Sequence, residues 1–198
     1  MKDTNFNAKI ADLKYHINGL MPKDICDLFI KFIDNHEDKL LIEKSYKYNE
    51  KESFYDNYRC LNLTEEVSKH KEFKEPFELA KKYLNIVVTN YVLYIQNKIC
   101  PNFNERLISK SSNIRILKYE KGQCIKDHSD VGTIERASCT INLNEDYEGG
   151  EFRFFGGRIK EKFKTGDAII FPAEPIWIHG TEPITNGIRY SINCFLHS

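Results

Sequence analysis

The chain has 198 residues, of which 41% are hydrophobic and 29% charged. That is enough sequence for one domain with a substantial core, at an ordinary globular composition. Its 29 basic and 29 acidic residues cancel. No global field draws the chain to nucleic acid or to an anionic membrane, so a basic-groove DNA binder is disfavoured.

The chain starts with "MKDTNFNAKIADLKYH", which lacks the apolar stretch of a secretory signal. No run approaches the length of a membrane span. A cytoplasmic protein that makes no use of a membrane is the expectation. The six cysteines, Cys26, Cys60, Cys100, Cys124, Cys139 and Cys194, are scattered without a C-x-x-C pair. They read as mostly buried free thiols in a reducing compartment.

The first half, residues 1–111, reads as mainly helical support. "MPKDICDLFIKFIDNH" sets Ile25, Leu28, Phe29, Phe32 and Ile33 on one helical stripe. "EPFELAKKYLNIVVTNYVLYIQNK" sets Phe77, Ala80, Tyr83, Leu84, Val87, Val88, Tyr91 and Ile95 on another, with Pro76 in the first turn. The Tyr-rich, charged stretch "KSYKYNEKESFYDNYRCLNL" lies between them and has no assignable form.

From residue 112 the texture changes to short strands separated by Gly-containing turns. The predicted strands are 112–119, 123–128, 137–144, 151–155, 158–164, 167–172, 176–179 and 187–196. About eight strands in this space predict an α+β protein, with a sandwich, jelly roll or small barrel over 112–198 and helices against one face. In "SCTINLN", Ser138, Thr140, Asn142 and Asn144 share a face opposite Cys139, Ile141 and Leu143. In "RYSINC", Arg189, Ser191 and Asn193 share another. These polar faces look either at solvent or into a polar pocket.

The segment "KDHSDVG" carries the chemistry. In extended chain, residues i and i+2 point the same way, so His128 and Asp130 can present an imidazole and a carboxylate to one point. Alone, such a pair is more often a surface turn or a hydrogen-bonded loop than a metal site. A facial triad needs one more His, and His179, at the end of a predicted strand, is the candidate. Two imidazoles and one carboxylate suit Fe(II) and leave coordination positions open. Arg189 lies on the following strand, where its fork can take a carboxylate bidentately. A binding module or a zinc hydrolase would use the same three ligands without needing that cation.

Taken together, "KYEKGQCIKDHSD", "INLNEDYEGGEFRFF", "KTGDAIIFPA" and "HGTEPITNGIRYSI" resemble the Fe(II)/2-oxoglutarate-dependent oxygenases of the prolyl 4-hydroxylase-like group, over roughly 114–196. The resemblance implies a double-stranded β-helix with the metal at one open end, within a single domain over 1–198. It implies His128, Asp130 and His179 as ligands and Arg189 as the partner of the far carboxylate of 2-oxoglutarate. Tyr119 stands at a position that contacts this co-substrate. Asn142, Thr140 and Asn193 complete the pocket. The implied chemistry consumes 2-oxoglutarate and O2 at Fe(II), with ascorbate as a reductant, and releases succinate and CO2 while hydroxylating a substrate C–H bond. The substrate is a protein or peptide, or a small metabolite. Ile125 stands where many prolyl hydroxylases carry a Tyr, three residues before the first His. A nucleobase-demethylating enzyme would carry a second Arg where this chain has Phe195, so nucleic acid is disfavoured as substrate. A histone-demethylase type is disfavoured too, because its co-substrate cation comes from elsewhere. The loop "VGTIERA" after Asp130 is placed to act as a lid.

Overall fold

The computed structural model describes residues 8–42, 58–132 and 134–198. Residues 1–7, most of the Tyr-rich stretch (43–57), and Thr133 of the predicted lid lie outside the described residues.

In chain order the N-terminal half contributes β1 (Tyr15–Ile17), α1 (Lys23–Asp34), β2 (Leu41–Ile42), β3 (Arg59–Asn62), α2 (Leu63–Glu66) and α3 (Lys74–Lys98). Pro22 precedes α1, Asp24 sits in its first turn and Lys31 in its last, each matching the helix dipole. The predicted stripe of α1 faces the core at Phe29 and Ile33, with Ile25 and Phe32 partly buried against it, but Leu28 is 56% exposed and Cys26 is buried instead. α3 buries Ala80, Tyr83, Leu84, Val87, Tyr91, Val92 and Ile95, close to the predicted face. Among the described residues no helix is long and apolar enough to cross a membrane.

The second half contributes β4 (Lys110–Tyr119), β5 (Ala137–Asn142), β6 (Glu148–Gly149), β7 (Phe152–Phe154), β8 (Ile159–Glu161), β9 (Ala168–Pro172), β10 (His179–Thr181), β11 (Ile184–Asn186) and β12 (Arg189–His197). A seven-stranded antiparallel sheet runs β1-β9-β5-β12-β4-β3-β2. A three-stranded sheet, β10-β7-β8, and the β11-β6 pair make the opposing wall. The expected α+β architecture with a jelly-roll core is what the chain adopts. The N-terminal half does more than brace the sheet: β1 closes one edge of the large sheet, and β2 and β3 extend the other.

Two predicted strands shift for physical reasons. Residues 123–128 form no ladder of their own. They lie along β10, held by Thr181 N–H to Ile125 O at 2.8 Å and by reciprocal His128–His179 backbone bonds at 2.9 and 2.8 Å. Residues 176–179 begin as a turn, with Trp177 N–H donating to Glu174 O at 2.9 Å, and extend only from His179. The β6–β11 pair was not predicted; its strands are too short to carry a period-2 signal.

The core has two compartments. α1, α3 and the outer faces of β4, β5, β9 and β12 enclose the larger one, which includes Cys139, Ile141, Ile192 and Cys194. Between the sheets lies an aromatic cluster of Phe152, Phe154, Phe163, Phe171 and Trp177. A buried cation ties the layers: Lys118 of β4 bonds Asp34 at the end of α1 at 2.7 Å and also Glu37. Tyr190 O–H donates to the same Asp34 at 2.9 Å. None of the six cysteines forms a disulfide, and all but Cys100 are buried.

Candidate metal centre

The polar faces of β5 and β12 do not look at solvent. Ser138, Thr140, Asn142, Arg189 and Ser191 are all buried. They point between the two sheets, while Cys139, Ile141 and Ile192 turn the other way into the helix-covered core. The alternation therefore builds a polar interior rather than an outer surface.

At the open end of that interior, His128, Asp130 and His179 converge. Their candidate ligand atoms all lie within 4.8 Å of one another, and no other group of three or more potential metal ligands occurs among the described residues. His179 opens β10, and His128 is bridged to it backbone to backbone. The step that brings them together depends on Gly180. A Cβ there would sit 2.7 Å from Ile125 O and 2.9 Å from Asp127 Oδ1, too close for real atoms. Gly180→Ala is therefore expected to push the segment carrying His128 off β10. The cost is about 1–3 kcal/mol of stability by overpacking, with a parallel loss of divalent-metal affinity. Thermal unfolding and a Mn(II) titration would check both.

Both imidazoles are oriented by backbone carbonyls. His128 Nδ1 lies 2.8 Å from Lys126 O, and His179 Nδ1 lies 3.0 Å from Trp177 O. Each ring thereby spends Nδ1 and presents Nε2, the arrangement that supporting hydrogen bonds give to metal-binding histidines. The two Nε2 atoms sit 3.2 Å from different oxygens of Asp130. Burial alone would push the Asp130 carboxyl up; the hydrogen bonds from His128 and His179 outweigh it and hold the group well below the usual carboxylate range. For His128, burial pulls the pKa down, but the bond to Asp130 raises it on balance. Both Nε2 atoms face the carboxylate at the point where a divalent ion would sit between them. The donor set thus fits a divalent metal of the iron type. Phe152 stacks on the His179 ring at 5.5 Å, and Phe171 meets it edge-on at 4.7 Å, so that flank is dry.

The same cavity is lined by Tyr119, Ile125, Thr140, Thr181, Arg189 and Asn193. Arg189 is 1% exposed. Its Cζ lies 5.3 Å from the centre of the Tyr119 ring, and its Nε donates to Asn142 Oδ1 at 3.2 Å. Arg189 Nη2 and Ser191 Oγ have no hydrogen-bond partner among the described residues. A buried guanidinium with an open donor beside an open hydroxyl is costly unless an anion joins it, and a dicarboxylic co-substrate fits both.

Asn142 was expected to touch that co-substrate, and it does not line the cavity. Its Oδ1 accepts from Arg189 and from Tyr147 O–H, and its Nδ2 donates to Asn144 O and Lys164 O. With its hydrogen-bonding capacity used, Asn142 holds Arg189 in place from behind. Tyr147, Trp177 and Ser138 went unrecognised as contributors. Only Ser138 carried a signal, as a member of the polar face of "SCTINLN".

Residues 114–197 match the model of the 2OG-Fe(II) oxygenase superfamily. No curated protein matches the chain. Among solved structures, the chain is similar to a prolyl hydroxylase from Trichoplax adhaerens in complex with a peptide fragment of the hypoxia inducible factor oxygen degradation domain. That likeness has a TM-score of 0.70 at 13% identity and covers 94% of this chain and 84% of that one. A Pseudomonas putida prolyl-4-hydroxylase aligns at TM-score 0.64 and 15% identity, over 94% of this chain and 93% of that one. The viral collagen prolyl hydroxylase of Paramecium Bursaria Chlorella virus-1, in its 2OG complex, aligns at 0.58 and 15%, over 94% and 96%. At these identities the structures speak for a shared fold.

Proposed function

We propose, from the match of residues 114–197 to the model of the 2OG-Fe(II) oxygenase superfamily, that this chain is a 2-oxoglutarate-dependent dioxygenase of prolyl hydroxylase-like type that hydroxylates a C–H bond in a protein or peptide, with a prolyl residue as the first candidate. The observation that carries the reading is Arg189. A zinc hydrolase or a passive binding module would need the His128, Asp130 and His179 cluster, but neither would need a buried guanidinium with an open donor in the same cavity. The peptide in the Trichoplax structure favours a peptidyl substrate over a free metabolite.

In this reading His128, Asp130 and His179 hold Fe(II). When bound, the ferrous ion together with 2-oxoglutarate and O2 supplies the oxidising power for C–H hydroxylation, with succinate and CO2 as co-products and ascorbate as a reductant. The chain's own residues do the positioning. Lys126 O and Trp177 O fix the two rings so that Nε2 faces the site. Arg189, with Ser191, takes the far carboxylate of the co-substrate, while Tyr119, Thr140 and Asn193 line its cavity. The charges of a ferrous ion, one aspartate, a dianionic co-substrate and one arginine cancel, so the filled site avoids a large desolvation penalty. The aromatic wall around His179 keeps water from one side. Ile125, an apolar wall of the same cavity, offers no hydrogen bond to the substrate.

The test is aerobic turnover of the full chain with Fe(II), ascorbate, 2-oxoglutarate and a library of proline-containing peptides, reading succinate and peptide mass. One peptide that gains a single oxygen, with matching succinate, is the expected result. Oxygen incorporated only into a small metabolite would contradict the peptidyl substrate. No consumption of 2-oxoglutarate under any condition would contradict the enzyme.

A further inference from the structure

Asp130 lies outside any strand, two residues beyond the bridge at His128. Something else must hold its carboxylate. Ser138 Oγ donates to Asp130 Oδ2 at 2.5 Å. Ser138 comes from the interior strand β5, where it is paired with Phe171 on one side and Phe195 on the other, and it is buried. The donor is therefore rigid and the acceptor is on a loop. The contact differs in kind from the two histidine contacts. Those involve the Nε2 atoms that a metal takes, whereas the Ser138 hydroxyl is not among the three converging ligand groups, so metal binding leaves its contact in place.

We propose that Ser138 is a positioning residue for the metal site. It engages Asp130 Oδ2, leaves Oδ1 as the ligand oxygen, and so enforces one-oxygen binding by the carboxylate. The inference rests on the metal reading above and adds to it a determinant of denticity. A carboxylate free to swing could bind through both oxygens and would fill a coordination position that a chelating 2-oxoacid needs. Ser138 thereby serves two ends: it pre-orients the ligand, which strengthens metal binding, and it keeps the co-substrate's position open.

The test uses the full chain and two variants of equal size, Ser138→Thr and Ser138→Val, which differ in the hydroxyl, with Ser138→Ala beside them. Anaerobic Mn(II) and Fe(II) titrations give metal affinity, and thermal unfolding of the metal-free proteins gives a structural control. At saturating Fe(II), the visible charge-transfer band on adding 2-oxoglutarate reads the open position. The proposal expects the Val and Ala variants to lose about 10- to 100-fold in metal affinity, the usual effect of removing a supporting group. They should also show a weakened band at saturating metal, with Thr close to wild type in both. Equal metal affinity and equal bands in Thr and Val would overturn it. So would a loss that tracks only the unfolding temperature of the metal-free protein. A wild-type protein that binds neither metal would instead remove the metal reading itself.

Discussion

Replacing His179 with alanine abolishes divalent-metal binding and, with it, all turnover. The expectation follows from the economy of the site. Three side chains converge, and no other cluster of potential ligands exists among the described residues, so nothing nearby can substitute. The loss should exceed the roughly 10- to 100-fold that follows removal of a merely supporting residue. His179 also fills space between Phe152 and Phe171, so the alanine variant leaves a cavity and loses stability as well. His179→Gln, which fills more of that space, separates the two effects: it should recover part of the stability and little of the metal affinity. Titration of Mn(II) into both variants is the check. Wild-type affinity in either one would remove His179 from the ligand set.

Arg189→Ala should behave in the opposite way. Metal affinity stays close to wild type, because Arg189 belongs to the far part of the cavity and touches Asn142 and Tyr119. The requirement for 2-oxoglutarate rises steeply. Truncating one partner of a buried, hydrogen-bonded charge pair costs about 2–5 kcal/mol, which converts to a rise of roughly 30-fold to several-thousand-fold in the concentration needed. Arg189→Lys should fall between, since it keeps the charge and loses the fork. Dissociation constants for 2-oxoglutarate, measured anaerobically on the metal-loaded variants, decide the matter. An alanine variant with normal co-substrate affinity would remove Arg189 from its assigned role.

Much of this was legible in sequence, for a definite reason. His128 and Asp130 are two residues apart, and Ser138, Thr140, Arg189 and Ser191 lie on period-2 strands, so local geometry alone says which side chains share a face. The pairing of His179 with the His128 segment is not local, but there was one well-placed histidine in the second half to take the role. What remained hidden depends on position along a strand and on contacts between distant segments. Asn142 lies on the pocket face, yet it meets the back of Arg189 and the Tyr147 hydroxyl rather than the cavity; periodicity tells the face and not the depth. The backbone carbonyls of Lys126 and Trp177 that aim the histidines have no side-chain signature at all. Leu28 shares a helical stripe with Phe29 and Ile33, yet it is exposed while Cys26 is buried; spacing alone does not say where the edge of the buried face falls. The strands β1, β2 and β3 are too short, at three, two and four residues, to stand out against helical surroundings.

The central claim is that one cavity holds Fe(II) on His128, Asp130 and His179 and a 2-oxoacid on Arg189. It is tested most directly without any primary substrate. Anaerobic protein is loaded with Fe(II), 2-oxoglutarate is added, and the weak visible charge-transfer band of a chelated 2-oxoacid is sought, with His128→Ala measured in parallel. The account predicts a band in the wild-type protein that is absent from the variant. No band in the wild-type protein, together with tight zinc binding at the same residues, would contradict it and point to a hydrolase or a binding module.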